Sequence, residues 1–194
     1  MGIILASGSP RRMEMIRSLG KEPLVIKPEC DESLGMELEP HQLVMSLALK
    51  KGLWAEDSLL SETFVPGGDV LIAADTIVYL GGVIGKPTDE EDALNMLRSL
   101  SGRSHTVFSG VYVHFLPDGK KRLLWEATEV FVKACEDAWL TSYVATGEPM
   151  DKAGGYAIQG SFSEMIERIE GSYDNVVGLP LQKILATFPE ISVL

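Results

Sequence analysis

Five consecutive apolar residues, Val70-Leu71-Ile72-Ala73-Ala74, run directly into Asp75-Thr76. No other stretch limits the fold of this chain as much. A strand with one wet face alternates apolar and polar residues, so an unbroken apolar run marks a strand covered on both faces. The rest of the chain offers the cover. Strand-like and helix-like segments interleave along it, which predicts an α/β fold with a mixed sheet and flanking helices.

The pattern predicts the elements in turn. Ile3-Ile4-Leu5-Ala6 is a first strand, and Ser7-Gly8 a small-residue turn. Ser9 and Pro10 suit the N-cap and first position of a helix. Met13, Ile16 and Leu19 give that helix its apolar spacing, and Gly20 ends it. Leu24-Val25-Ile26 is a second strand, followed by an acidic loop, Glu29-Cys30-Asp31-Glu32-Ser33. Pro40 opens a helix with Leu43, Val44, Leu47 and Trp54 on one face, and residues 56–68 are expected to be a mobile loop. The buried strand is expected to end at Asp75. Ile77-Val78-Tyr79 and Val83-Ile84 flank Gly81-Gly82, a hairpin signal. Thr88 and Glu91 form a capping box for a helix carrying Ala93, Leu94, Leu97 and Leu100. Residues 107–116 and 123–132 alternate around Pro117-Asp118-Gly119 as a long hairpin. A helix with Trp139, Tyr143 and Val144 closes at Gly147, and a last helix runs to Phe188.

Composition excludes several classes. The 194 residues suit one domain spanning 1–194, and the net charge of −11 argues against binding nucleic acid or anionic lipid. Cys30 and Cys135 stand in unrelated contexts, without metal spacing or a disulfide framework, so a reducing cytoplasm is expected. The apolar start is too short for a signal peptide, and no segment approaches a membrane span. His41, His105 and His114 are scattered, which argues against a zinc site or a histidine-based triad.

The chemistry concentrates at a few positions. The helix end at Ser9 carries partial positive charge, and Arg11 and Arg12 add two guanidiniums in the same turn of an otherwise acidic chain. Phosphate is the first candidate ligand; a plain capped helix with surface arginines is the alternative. Asp75 is a carboxylate where an α/β sheet places its ligands, suited to a divalent ion or to proton abstraction, unless it only caps a turn. Lys86 is held between Gly85 and Pro87, which aims it; an edge-strand charge is the bland counterpart. Lys51 could bind phosphate or simply lay its stem along an apolar face, with Lys50 as its natural control. Asp31 and Glu32 could hold magnesium or merely be solvated. Gln159 in Tyr156-Ala157-Ile158-Gln159-Gly160 offers a donor and an acceptor to a base edge.

Five motifs occur in the order seen in the Maf family: Ser7-Gly8-Ser9-Pro10-Arg11-Arg12, Ala74-Asp75-Thr76-Ile77-Val78, Gly85-Lys86-Pro87, Tyr156-Ala157-Ile158-Gln159-Gly160 and Asn175-Val176-Val177-Gly178-Leu179-Pro180. The chain resembles these nucleoside triphosphate pyrophosphatases over essentially its whole length. The resemblance implies a fold like that of inosine triphosphate pyrophosphatases, with a cleft between two lobes, a homodimer, and a divalent metal, magnesium or alternatively manganese. It implies Asp75 as the catalytic carboxylate, and Ser9, Arg12, Lys51, Lys86 and Gln159 as substrate-binding residues. Glu32 matches an acidic residue near the metal, with Asp75 the other ligand. Arg11, Thr76 and Gln159 match the branch that prefers thymidine and uridine triphosphates, cleaved to monophosphate and pyrophosphate. The competing expectations are a modified substrate such as 7-methylguanosine triphosphate, and a non-enzymatic nucleotide-binding regulator of cell division. Gly52 departs from the alanine common after the lysine, and the 56–68 loop is longer than usual.

Overall fold

The computed structural model of the chain describes residues 2–61, 69–116 and 119–193. In chain order the elements are β1 (Ile3–Ala6), α1 (Pro10–Arg17), β2 (Leu24–Ile26), α2 (Pro40–Ser61), β3 (Val70–Tyr79), β4 (Val83–Ile84) and α3 (Glu90–Leu100). They continue as β5 (Ser104–Phe115), β6 (Lys121–Val132), α4 (Asp137–Val144), β7 (Ile166–Glu170), α5 (Tyr173–Val177) and α6 (Leu181–Thr187). The strands form one seven-stranded sheet in the order β2-β1-β3-β5-β6-β7, with β4 paired to β3. β1 runs parallel to both β2 and β3, while β4 is antiparallel to β3 and β7 to β6. The expected mixed sheet with flanking helices is therefore present.

The chain divides into two compact units. The first comprises Met1–Asp75, Ser109–Glu126 and Gly178–Leu194; the second comprises Thr76–Phe108 and Ala127–Val177. In the first unit β3 is covered on both faces, as its composition requires. Val70, Ile72 and Ala74 pack with Ile16 of α1, Val111 and Val113 of β5, and Leu181 and Ile184 of α6. Leu71 and Ala73 pack on the other face with Ile4, Ala6, Tyr112 and the small residues Ala48 and Ala55 of α2. α2 lies very close to β5. A Cβ on Gly110 would sit 2.3 Å from the Val44 carbonyl, and one on Gly52 would sit 2.1 Å from the Tyr112 ring. Gly52, a small departure from the resemblance, is thus matched by the large ring opposite it.

The second unit has its own core, built from Ala93, Leu97 and Leu100 of α3, Leu140, Tyr143 and Val144 of α4, Val130 and Val132 of β6, and Tyr156 and Phe162. Buried Asn175 of α5 donates to the Val107 carbonyl at 3.0 Å and to Thr128 Oγ1 at 2.9 Å.

Three expectations change. β3 does not stop at Asp75: Thr76-Ile77-Val78-Tyr79 continue it, because Val78 and Tyr79 find partners in Ile84 and Val83 of β4. The first part of the expected 56–68 loop is helix, since α2 reaches Ser61; positions 62–68 lie outside the described residues. Pro117 and Asp118 of the expected hairpin turn lie outside them as well. The cap of α3 shifts by one residue. Asp89, not Thr88, is the N-cap and accepts from the Asp92 N–H, while Thr88 donates its N–H to Asp92 Oδ2 at 2.9 Å. β7 and α5 are additional elements that the apolar pattern left without an assignment.

Candidate active site

The first unit gathers most of the predicted charges. β1 ends at Ala6, level with Ala73 of the parallel strand β3. The chain then turns through Ser7 and Gly8 into α1. This puts the start of α1 at the carboxyl ends of the parallel strands β1 and β2, which finish level at Ala6 and Ile26, beside the middle of β3, a place where α/β sheets bind ligands. Ser9 is the N-cap, as expected, but its hydroxyl makes no capping bond. Buried Ser7 bonds just before the helix and leaves its first N–H groups free of a side-chain cap: its Oγ accepts the Ser9 N–H at 3.2 Å and an Arg12 Nη1 proton at 3.2 Å. Arg12 Nε donates to the Gly178 carbonyl at 2.7 Å. Gly178 has φ 121°, a conformation that suits glycine and turns its carbonyl toward the guanidinium.

Asp75 is buried in β3, on the face lined by Leu71 and Ala73. Lys51 reaches it from α2, three residues after Ala48 and four before Ala55, so the two small residues let that helix face approach the sheet. Lys51 Nζ donates to Asp75 Oδ1 at 2.5 Å and lies 2.9 Å from Glu32 Oε1. Arg12 senses the same group of charges. Burial lowers its pKa, Asp75 and Glu32 oppose that shift, and Arg11 adds to it. Lys51 therefore belongs to the charged centre, and Glu32 is more than a solvated loop residue.

Lys50 is not idle. Its ammonium donates to the Asp31 carbonyl at 3.0 Å and the Ser33 carbonyl at 2.7 Å, which ties down the loop that presents Glu32. It fails as a neutral control for that reason.

The second unit carries Thr76, Lys86 and Gln159. Thr76 follows Asp75 in an extended strand, so the two side chains point to opposite faces. Lys86 and Gln159 are both exposed. Their backbones are linked locally, because the Gly154 N–H donates to the Gly85 carbonyl at 2.8 Å. That bond fixes the Gly85-Lys86-Pro87 turn against the segment that leads to Gln159.

Among the described residues no group of three or more His, Cys, Asp or Glu side chains could enclose a metal ion. Asp75 and Glu32, gathered on one ammonium, are the pair at the charged centre. Two carboxylates suit magnesium, which keeps several waters and takes the rest of its shell from substrate phosphates. No described helix is long and apolar enough to cross a membrane.

Ser7 and Gly178, which hold Arg12, and Lys50, which holds the loop carrying Glu32, are members of this network that the sequence pattern did not place in it. Ser7 and Gly178 lie inside the motifs at 7–12 and 175–180, and a glycine next to an apolar pair is the one local signal for the latter.

The family profile described as Maf-like protein matches residues 2–191. The chain belongs to the Maf family. A dTTP/UTP pyrophosphatase from Caldanaerobacter subterraneus subsp. tengcongensis is 44% identical over 185 residues, covering 95% of this chain and 86% of that protein. One from Caldicellulosiruptor bescii is 42% identical, covering 94% and 90%. One from Pelotomaculum thermopropionicum is 43% identical, covering 94% and 92%. A solved structure, that of the Staphylococcus aureus Ham1 protein, aligns with a TM-score of 0.43 at 13% identity, covering 86% of this chain and 80% of that one. Family membership rests on the profile and the curated relatives, not on that last likeness.

Proposed function

We propose that this chain hydrolyses the pyrimidine nucleoside triphosphates dTTP and UTP between the α- and β-phosphorus atoms, giving monophosphate and pyrophosphate. The observation that carries this reading is Asp75, a buried carboxylate with Lys51 at 2.5 Å and with Glu32, Arg11 and Arg12 in the same field of charge. The substrate named for each of the three Maf relatives supports the choice of base.

The residues divide the work. A water oxygen attacks the α-phosphorus, the bond from that atom to the bridging oxygen breaks, and pyrophosphate leaves with the electron pair. Asp75 accepts the water proton. Lys51 occupies Oδ1, and Oδ2 has no partner among the described residues, so Oδ2 is the receiving atom. Arg11, Arg12, Lys51 and Lys86 neutralise phosphate charge, and Ser9 leaves the helix end uncapped for an anion. Asp75 and Glu32 would hold a divalent ion, magnesium or alternatively manganese, which would supply further charge neutralisation and a more acidic bound water. Thr76 and Gln159 would contact the base. The same reading carries a cytoplasmic homodimer, whose mass light scattering would measure.

Product analysis with dTTP, UTP, CTP and 7-methyl-GTP tests it. Monophosphate and pyrophosphate from the first two, lost on chelation and restored by magnesium, are expected. Diphosphate and orthophosphate would overturn the cleavage position, and preference for the methylated purine would overturn the base assignment. Binding without turnover would make the protein a nucleotide-responsive regulator.

A further inference from the structure

Gln159 poses a problem for base selection. Its amide can rotate to present either a carbonyl or an amino group. One orientation fits the uracil and thymine edge, and the other fits cytosine. Within the described residues the Gln159 side chain has no partner to hold it. What the structure holds in place is the backbone that carries it, which sets where the side chain starts and which base edge it can reach.

That backbone is fixed on both sides. Before Gln159, Tyr156, Ala157 and Ile158 are all buried, and the chain surfaces only at Gln159. Tyr156 is anchored by His105 at the start of β5: the hydroxyl and Nε2 are 2.6 Å apart, and the rings meet edge-on at 5.3 Å. Phe162 packs on the same tyrosine at 5.0 Å. His105 is an expensive residue at this place. It is buried, and its Nδ1 has no hydrogen-bond partner among the described residues. A core that served stability alone would do better with an apolar pair. The hydrogen bond to Tyr156 is what this histidine supplies.

After Gln159, Glu148 closes the other side. Its Oε2 accepts the Ser161 N–H at 3.4 Å, and its Oε1 accepts the Tyr143 hydroxyl at 3.1 Å. Gly160 has φ 114°, and a Cβ there would lie 2.5 Å from Glu148 Oε1. Only glycine lets the loop sit this close to the carboxylate. Ser163 completes the turn, donating its N–H and hydroxyl to the Gly160 carbonyl at 3.1 and 2.6 Å.

We infer that His105 and Glu148 are positioning residues that make Gln159 selective for the uracil-type edge, by clamping the backbone on either side of it. The inference rests on the proposed pyrimidine triphosphatase activity. Neither residue is a catalytic residue; both act through Gln159.

The test is the ratio of kcat/KM for UTP to that for CTP in the full chain. Glu148→Ala opens one clamp, and Glu148→Gln restores an acceptor of the same shape. The pair His105→Leu with Tyr156→Phe removes both partners of the other hydrogen bond together, which spares the fold an orphaned polar group. Glu148→Ala and the paired substitution are each expected to lower the UTP/CTP ratio at least tenfold, mainly through the UTP value, while Glu148→Gln keeps most of it. A wild-type preference that survives in folded Glu148→Ala and His105→Leu/Tyr156→Phe proteins overturns the inference alone. So does failure of both proteins to fold, since the residues then serve stability. A wild-type protein with no UTP preference, or no turnover, overturns the proposed function and the inference with it.

Discussion

Replacing Gly52 by alanine puts the contact between α2 and β5 to a quantitative test. A Cβ at this position would lie 2.1 Å from Tyr112 Cδ1, whereas ordinary contact begins at 3.4 Å, so the atoms must separate by about 1.3 Å. Tyr112 cannot give way. It is buried, and its hydroxyl donates to Glu56 Oε1, which also lies 2.7 Å from His114 Nδ1 while Oε2 takes the Lys121 ammonium at 2.7 Å. The helix must move instead. Overpacking of this kind costs about 1–3 kcal/mol, and the better helix propensity of alanine returns about 1 kcal/mol. In a Tyr112→Ala background the clash is gone and only the propensity gain remains. The two effects of Gly52→Ala should therefore differ by roughly 1–3 kcal/mol between the backgrounds, measured by urea unfolding of the four proteins. Activity gives a second readout. Lys51 is the adjacent residue, and a displacement near 1 Å at a reacting centre can cost on the order of 100-fold in rate. A Gly52→Ala protein as stable and active as wild type, or an equal stability change in both backgrounds, would refute the close approach and the link from Gly52 to Lys51.

The remaining predictions concern the charges. Asp75→Asn should keep the fold, judged by circular dichroism, and reduce turnover by at least ~100-fold, the low end of a general-base contribution; near-normal kcat would remove Asp75 from the proton-transfer role. Arg12→Ala and Lys86→Ala should each weaken triphosphate binding in titration calorimetry by roughly 1.5–3 kcal/mol, while exposed Lys120→Ala does little; equal losses at all three would mean that general electrostatics governs binding. Burial holds the His105 imidazole down to about 4 from its ordinary 6.5. The unfolded chain takes up that proton first, so stability is complete above pH 6.5 and falls between 6.5 and about 4, by about 1.4 kcal/mol per pH unit within the window. Urea unfolding at pH 7, 6 and 5 should show this extra acid sensitivity in wild type but not in His105→Leu/Tyr156→Phe.

What could be predicted from sequence was whatever a few neighbouring residues decide. The run from Val70 announces a strand buried on both faces because no polar residue interrupts it, and Gly81-Gly82 announces the turn into β4. The end of α2 needs more than that. Glu56, Asp57 and Ser58 look like the start of a loop, but Glu56 is held by Tyr112, His114 and Lys121, which lie 56, 58 and 65 positions away in the chain. Those partners carry the helix on through a polar stretch. β3 outruns its apolar segment for a similar reason: a carboxylate mid-strand is tolerated once Lys51 pairs with it.

The site shows the same limit at the level of single side chains. Asp75 and Arg12 stand out because each is out of character with its surroundings, a carboxylate after five apolar residues and a cation in the first turn of a helix. Lys50 and Lys51 are adjacent, identical in type and equally apolar in context, so only the phase of α2 separates them. That phase is written in Ala48 and Ala55, the small residues on the side where Lys51 meets Asp75 and Glu32, while Lys50 turns toward the carbonyls of Asp31 and Ser33. Both lysines serve the acidic loop, one through Glu32 itself and one through the backbone beside it. Removing Lys50 should therefore loosen Glu32 and weaken the charged centre without touching any phosphate, a smaller loss than at Lys51 but not the silence expected of a spectator.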